Sequence, residues 1–133
     1  MSATNRKGDI AEAAFLFEAI SRGYNVCSSY KQDSAYDCVL DRKGSLERVQ
    51  IKYREITEKG NLVITITQDT KTNRRDYSSE NIDYFAVYVP ELKQIAYIPI
   101  KLCEGKTRIT LRVAETKNKQ VKGINYLKDF TSW

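Results

Sequence analysis

Residues 36–56 read YDCVLDRKGSLERVQIKYREI, and the folding of this stretch decides the rest. Val49, Ile51 and Tyr53 alternate with Gln50, Lys52 and Arg54, the period of a strand whose side chains point to opposite faces. An apolar run, Cys38 to Leu40, precedes it, and Gly44 lies between the two runs as a hairpin turn requires. Pairing Arg42 with Ser45 sets Asp41 opposite Leu46 and Asp37 opposite Gln50; a four-residue loop over 42–45 keeps that register. Directly opposed residues share a face of a sheet, and Gln50 shares its face with Lys52. The hairpin therefore predicts that Asp37, Gln50 and Lys52 gather on one face, a cluster that a one-residue slip would break. A lysine inside a strand is rarely buried without a partner. Lys52 belongs either to an exposed edge strand or to a site that uses a cation.

The bulk numbers fit one soluble domain over residues 1–133: 41% hydrophobic residues can build a core, and 29% charged residues can cover it. The net charge of +5 favours an acidic partner, nucleic acid first and an anionic membrane surface second. No stretch approaches the roughly 20 apolar residues of a membrane span. The start, MSATNRKGDIAEAA, lacks an apolar signal core, so a cytoplasmic location is expected. Cys27, Cys38 and Cys103 are odd in number and lack CxxC spacing, which argues against a disulfide framework and a zinc site. There is no histidine, which removes Ser-His-Asp and Cys-His triads and His-metal sites. Any chemistry must use carboxylates, lysine, tyrosine or a bound metal.

Along the chain, residues 7–22 read as a helix ended by Gly23. Ile10, Ala13, Ala14, Phe17 and Ile20 recur at helical spacing as its core face. Phe15 points away from that stripe and hints at a subunit interface. A short extended stretch precedes the hairpin. NLVITITQ at 61–68 reads as one strand, and 69–81 as a polar, basic loop with room for a short helical turn. IDYFAVYV at 82–89 is apolar enough for a buried central strand. QIAYIPI at 94–100 is a strand that Pro99 places at an edge, and TRITLRV at 107–113 is a further strand. The last twenty residues carry no clear pattern. The order predicts an α/β sheet with little helix.

The clustered residues suit one kind of chemistry. A carboxylate and an amide oxygen are hard ligands for Mg²⁺ or Mn²⁺. Such a metal polarises a phosphoryl oxygen and activates water, and a nearby lysine stabilises the developing negative charge. Glu12 sits at the margin of the helix stripe, from where it could lean toward the metal; a solvated surface glutamate is the plainer reading. Glu18 lies on the opposite margin.

Asp37 followed by Gln50-Ile51-Lys52 resembles the PD-(D/E)xK signature of the restriction-endonuclease-like nucleases. KGDIAEA resembles the first-helix motif of a subgroup that includes intron-encoded homing endonucleases, and archaeal Holliday junction resolvases share the layout. IDYFAVYVPE and AYIPI resemble its second half. The resemblance implies a restriction-endonuclease-like mixed β-sheet core with an N-terminal helix and few flanking helices. It makes Asp37 the central metal ligand, bridging if two metals bind, and Lys52 the signature lysine. Glu12 becomes the first-helix acid that contacts a metal directly or through water, and the Ile51 carbonyl a further ligand. Gln50 stands where Glu or Asp is usual, which removes one negative charge and weakens metal binding. Tyr36 stands where the signature has proline. The implied activity is metal-dependent cleavage of double-stranded DNA, of the homing type. A junction resolvase is the alternative, and a non-catalytic DNA-binding module with the nuclease fold a third reading. Gln50 favours the third reading; Asp37 and Lys52 count against it.

Arg6, Lys7, Lys31, Arg54, Lys71, Arg74, Arg75, Lys117, Lys119 and Lys122 are the candidate phosphate contacts, although any one lysine also serves as ordinary solvated surface. Tyr53, Tyr84, Tyr88 and Tyr97 fall in strand patterns and read as packing. Cutting both strands requires more than one active centre, so a homodimer or homotetramer is expected. No small-molecule cofactor and no membrane are called for.

Overall fold

The computed structural model of the chain describes residues 3–30, 34–69, 74–114 and 124–133. Helix α1 (Ala3–Ser21) leads into β1 (Asn25–Ser28), β2 (Cys38–Arg42) and β3 (Ser45–Tyr53). β4 (Asn61–Thr65), β5 (Thr67–Asp69) and β6 (Arg74–Asp76) follow. β7 (Tyr84–Val89), β8 (Gln94–Pro99), β9 (Arg108–Arg112) and β10 (Asn125–Tyr126) complete the strands, with single 3-10 turns at Ile100–Leu102 and Leu127–Phe130.

The hairpin forms in the expected register: Arg42 pairs with Ser45, Asp41 with Leu46 and Cys38 with Val49. Lys43 (φ 51°) and Gly44 (φ 101°) are both left-handed, the geometry of a type I′ turn whose twist matches the strands it joins. The Asp41 carboxylate accepts the Gly44 N–H at 2.8 Å and steadies the turn. β3 then pairs in parallel with β7, Val49 beside Tyr84. The main sheet runs β1-β2-β3-β7-β8, with β8 at its edge as Pro99 suggests.

Each face of this sheet has its own cover. Val49, Ala86 and Tyr97 meet Phe15 and Ala19 of α1 on one side. Phe85, Val87, Val89 and Ile98 meet Leu62, Ile64, Ile109 and Leu111 of the β10-β9-β4 sheet on the other. β7 is therefore apolar on both sides, which explains its nearly unbroken hydrophobic run.

Three expectations need correction. The core face of α1 is Ala11, Phe15 and Ala19; of the expected stripe Ala14 packs against it, whereas Ile10, Ala13, Phe17 and Ile20 are exposed, Phe17 at 73% against 1% for Phe15. The two alanines let the helix approach the sheet closely, and Phe15 stacks on Trp133 at 5.5 Å and lies 6.4 Å from Tyr97. Phe15 therefore offers nothing to a partner subunit. The single strand of 61–68 is two, β4 and β5, which belong to different sheets. The polar loop of 69–81 contains β6, which pairs back on β5; its charged sequence lacks the alternation that reveals a strand. The unpatterned C-terminal stretch also finds a place. The Trp133 indole N–H donates to the Ile95 carbonyl at 3.0 Å, and its ring stacks on Tyr97 at 4.9 Å.

Candidate active site

Asp37 stands just before β2, where the hairpin ladder stops. The ladder does not continue to the Asp37–Gln50 pair. The Asp37 N–H donates instead to the Val49 carbonyl at 2.8 Å. This offset turns the Asp37 carboxylate onto the backbone of β3, where Oδ2 accepts the Ile51 N–H at 2.8 Å. The carboxylate is fixed by a main-chain donor and not by a mobile side chain.

A cleft of about 640 Å³ opens beside it, between α1 and the β1–β2 side of the sheet. Asp9, Glu12, Ala13 and Leu16 line it from α1, and Ser29, Tyr36 and Asp37 face them. Glu12 and Asp37 thus share one cavity. Glu18, on the other flank of the helix, forms an ion pair with Arg22 at 2.9 Å.

The electrostatics follow first from burial. Burial raises the Glu12 carboxyl above the usual range, and the charges of Asp37 and Asp9 raise it further. Burial also raises Asp37, against the opposing pull of the Ile51 N–H and of Lys52. The Cys38 thiol is pushed up to about 12, first by burial and then by Asp37 and Glu12. It is an inert packing group.

Lys52 projects from the other face of β3, next to Val87 in the ladder. Its Nζ lies 5.3 Å from the ring centroids of both Tyr77 and Phe85. Burial in this aromatic seat, and then the Arg54 charge, lower its pKa to about 8, with Asp37 pulling the other way. The strand alternation puts Gln50 on the same side, beside Phe85. The expected gathering of Asp37, Gln50 and Lys52 on one face is therefore corrected: Asp37 leaves the ladder to share the cleft with Glu12, and Gln50 and Lys52 approach from the other side of β3. Asp37 lies at the junction, within the electrostatic reach of both Glu12 and Lys52.

Of the basic candidates, Arg6 is exposed on α1 and Arg54 is half-buried after β3. Lys7 is exposed and forms an ion pair with Glu55 at 2.8 Å. Arg74 and Arg75 lie on β6, with side chains outside the described residues, as are Lys31, Lys71, Lys117, Lys119 and Lys122. Sequence reasoning missed Asp9 and the Tyr77–Phe85 seat. Asp9 stands three positions before Glu12, a spacing that shares a helix face. Nothing in the order of residues announces that Tyr77 meets Lys52.

The donor set fits a hard divalent cation. Among the described residues no three His, Cys, Asp or Glu side chains form a metal-holding group. A cation in the cleft would rest on the Asp37 and Glu12 carboxylates, with the Ile51 carbonyl and water as neutral oxygen ligands; the Gln50 amide, on the other side of β3, could join it only at Asp37. The burial that raises both carboxyls, and the charges of Asp37 and Asp9 that further raise Glu12, are what a bound cation would offset.

Known proteins are similar to this chain. A bacterial homing endonuclease, I-Ssp6803I, is 30% identical, with a TM-score of 0.74 over 91% of this chain and 84% of that one. The Holliday junction resolvase Hjc of the archaeal hyperthermophile Archaeoglobus fulgidus is similar in fold alone. It is 12% identical, with a TM-score of 0.51 over 80% of this chain and 84% of that one. No curated protein matches the sequence. The family model for the PD-(D/E)XK endonucleases matches residues 2–133. With its aspartate fixed on the strand that carries Lys52, and a glutamate across the cleft, the chain belongs to the PD-(D/E)XK endonuclease family.

Proposed function

We propose that the protein is a Mg²⁺-dependent endonuclease that cuts double-stranded DNA at specific sites, as homing endonucleases do. The observation that carries the reading is the Asp37 carboxylate, held at 2.8 Å on the Ile51 N–H, in one cleft with Glu12 and in electrostatic contact with Lys52. Asp37, Glu12, Gln50 and the Ile51 carbonyl would hold Mg²⁺, or Mn²⁺ in its place. When bound, the cation would polarise a phosphoryl oxygen and make water a better nucleophile. Asp37 contributes a fixed negative oxygen, and its hydrogen bond to Ile51 keeps the Ile51 carbonyl aligned. Glu12 orients water from the helix side. Lys52, with a pKa of about 8, is mostly protonated at neutral pH and places its charge against the developing phosphorane. Arg6, Lys7 and Arg54 bind the phosphate backbone nearest the cleft. Lys31, Lys71, Arg74, Arg75, Lys117, Lys119 and Lys122 extend that contact. Lys7 must leave Glu55 to do so.

The protein acts as a homodimer or homotetramer in the cytoplasm, as one nuclease domain. The likeness of fold to Hjc supports a junction resolvase as the second reading. Plasmid nicking with and without Mg²⁺ tests the first. Asp37→Ala and Lys52→Ala should abolish cleavage while mobility shifts still report DNA binding; full cleavage by either variant refutes the site. Cleavage of four-way junctions but not of linear duplex refutes the homing reading.

A further inference from the structure

A lysine is a point charge on a long flexible stem, and such a charge serves a reaction only when something holds it still. Among the described residues Lys52 forms no ion pair. Its Nζ lies instead 5.3 Å from the ring centroids of Tyr77 and of Phe85. Those two rings meet edge to face, with centroids 5.3 Å apart and planes at 82°. Both are buried, and they form the walls of a corner in which the ammonium sits. A ring face attracts a cation without neutralising it as a carboxylate would. The charge is therefore held in place and stays available to an anion.

The two walls differ in origin. Phe85 belongs to β7, beside Gln50 in the ladder, and is fixed in the core under the main sheet. Tyr77 comes from outside that sheet, directly after β6. Its N–H donates to the Ile66 carbonyl at 3.1 Å, which extends the β5–β6 ladder beyond the rung of Thr67 and Asp76. On its other side, Ser78 opens a turn in which the Ser78 N–H donates to the Asn81 side chain and the Ile82 N–H to the Ser78 carbonyl, both at 3.0 Å. Arg48 of β3 grips that turn. It donates to the Ser79 and Glu80 carbonyls at 2.8 and 2.9 Å, and to both oxygens of the Asp83 carboxylate. Arg48 and Lys52 stand an even number of residues apart on one strand, so they share a face. β3 thus holds, through one basic side chain, the segment that seats the other.

We propose that Tyr77 is a positioning residue for cleavage: its ring, set against Phe85, holds the Lys52 ammonium where the scissile phosphate must meet it. This rests on the nuclease reading of Lys52. Mg²⁺-dependent nicking, measured against the concentration of supercoiled plasmid, tests it. Tyr77→Leu should lower the rate at saturating plasmid by about 10- to 100-fold. The half-saturating plasmid concentration and the mobility shift should stay within about twofold of wild type, because the ring acts through Lys52 and not on DNA affinity. Tyr77→Phe keeps the ring and should cut within about threefold of the wild-type rate. If circular dichroism shows that the leucine variant does not fold, Tyr77→Met, which also lacks a ring, takes its place with the same expected loss. The seat is also read without any cutting, in protein carrying isotope-labelled lysine. The ring faces should move the Lys52 ε-methylene signal, assigned by its loss in Lys52→Met, upfield of the exposed lysines. Tyr77→Leu should send it back, and Tyr77→Phe should not. A folded ring-less variant that cuts at the wild-type rate, a loss confined to half-saturation, a phenylalanine variant as slow as the leucine one, or a Lys52 signal that ignores Tyr77→Leu would overturn the proposal. A wild type that cuts nothing while its Lys52 signal answers to Tyr77 would overturn the nuclease reading, and with it this use of the seat.

Discussion

Lys52→Met keeps the length and unbranched stem of the side chain and removes its charge. Burial and the Arg54 charge lower Lys52 from 10.5 to about 8. At about 1.4 kcal/mol per pH unit, that gap is a cost of about 3 kcal/mol for holding the ammonium in the fold at neutral pH. This cost already includes the opposing pull of Asp37, and the substitution removes it together with two cation–ring contacts worth about 0.5–1 kcal/mol each. The net expectation at pH 7, in metal-free buffer, is a gain of about 1 kcal/mol. Because the folded state holds the Lys52 proton less tightly than the unfolded chain, wild-type stability from this residue rises with pH across the window from about 8 to 10.5. The advantage of methionine is therefore full below pH 8 and shrinks toward pH 10.5. Urea titrations at pH 7 and pH 10, followed by fluorescence of the single tryptophan, Trp133, measure it. Cleavage should be lost in the same variant. A methionine variant less stable than wild type at pH 7, or a difference that ignores pH, would refute the account of Lys52 as a strained cation.

Gln50→Glu restores a negative ligand, so cleavage should reach half its maximum at several-fold lower Mg²⁺; an unchanged metal titration would remove Gln50 from the ligand set. Trp133→Ala empties the stack over Phe15 and Tyr97 and should cost about 2–4 kcal/mol, read by thermal melting, whereas a shift of under a degree would show that the indole adds nothing. Gly44→Ala should cost about 1 kcal/mol through backbone strain alone. The φ of 101° disfavours any Cβ, yet an added Cβ meets no atom within 4 Å. A neutral result in urea would mean that the turn relaxes.

The hairpin was legible because a two-residue turn with one glycine leaves little freedom of register, and the cross-strand partners followed from it. The placement of Asp37 was legible only in part. Its side chain leaves the ladder to take the Ile51 N–H, and no sequence pattern records such an offset. The face of α1 was misread because large residues were weighed above small ones. Ala11 and Ala19 bury little area each, but they admit Phe15 to an aromatic stack whose other members lie far along the chain. The row Ala11, Phe15, Ala19, at i, i+4 and i+8, was the signal available. β6 was hidden by its charges, and Trp133 by the absence of any periodic neighbour.

The bond from Ile51 to Asp37 closes over one hairpin and nothing else. Closing so short a loop costs little chain entropy, so the seat of Asp37 is written locally. The neighbouring pairing of β3 with β7 instead joins Val49 to Tyr84 across a long excursion of chain. Within that excursion β5 and β6 pair only with each other among the described residues. Their length and sequence can change without unseating Asp37. If the chain cuts DNA as proposed, β5 and β6 could vary in a lineage while Asp37 and Lys52 are inherited intact.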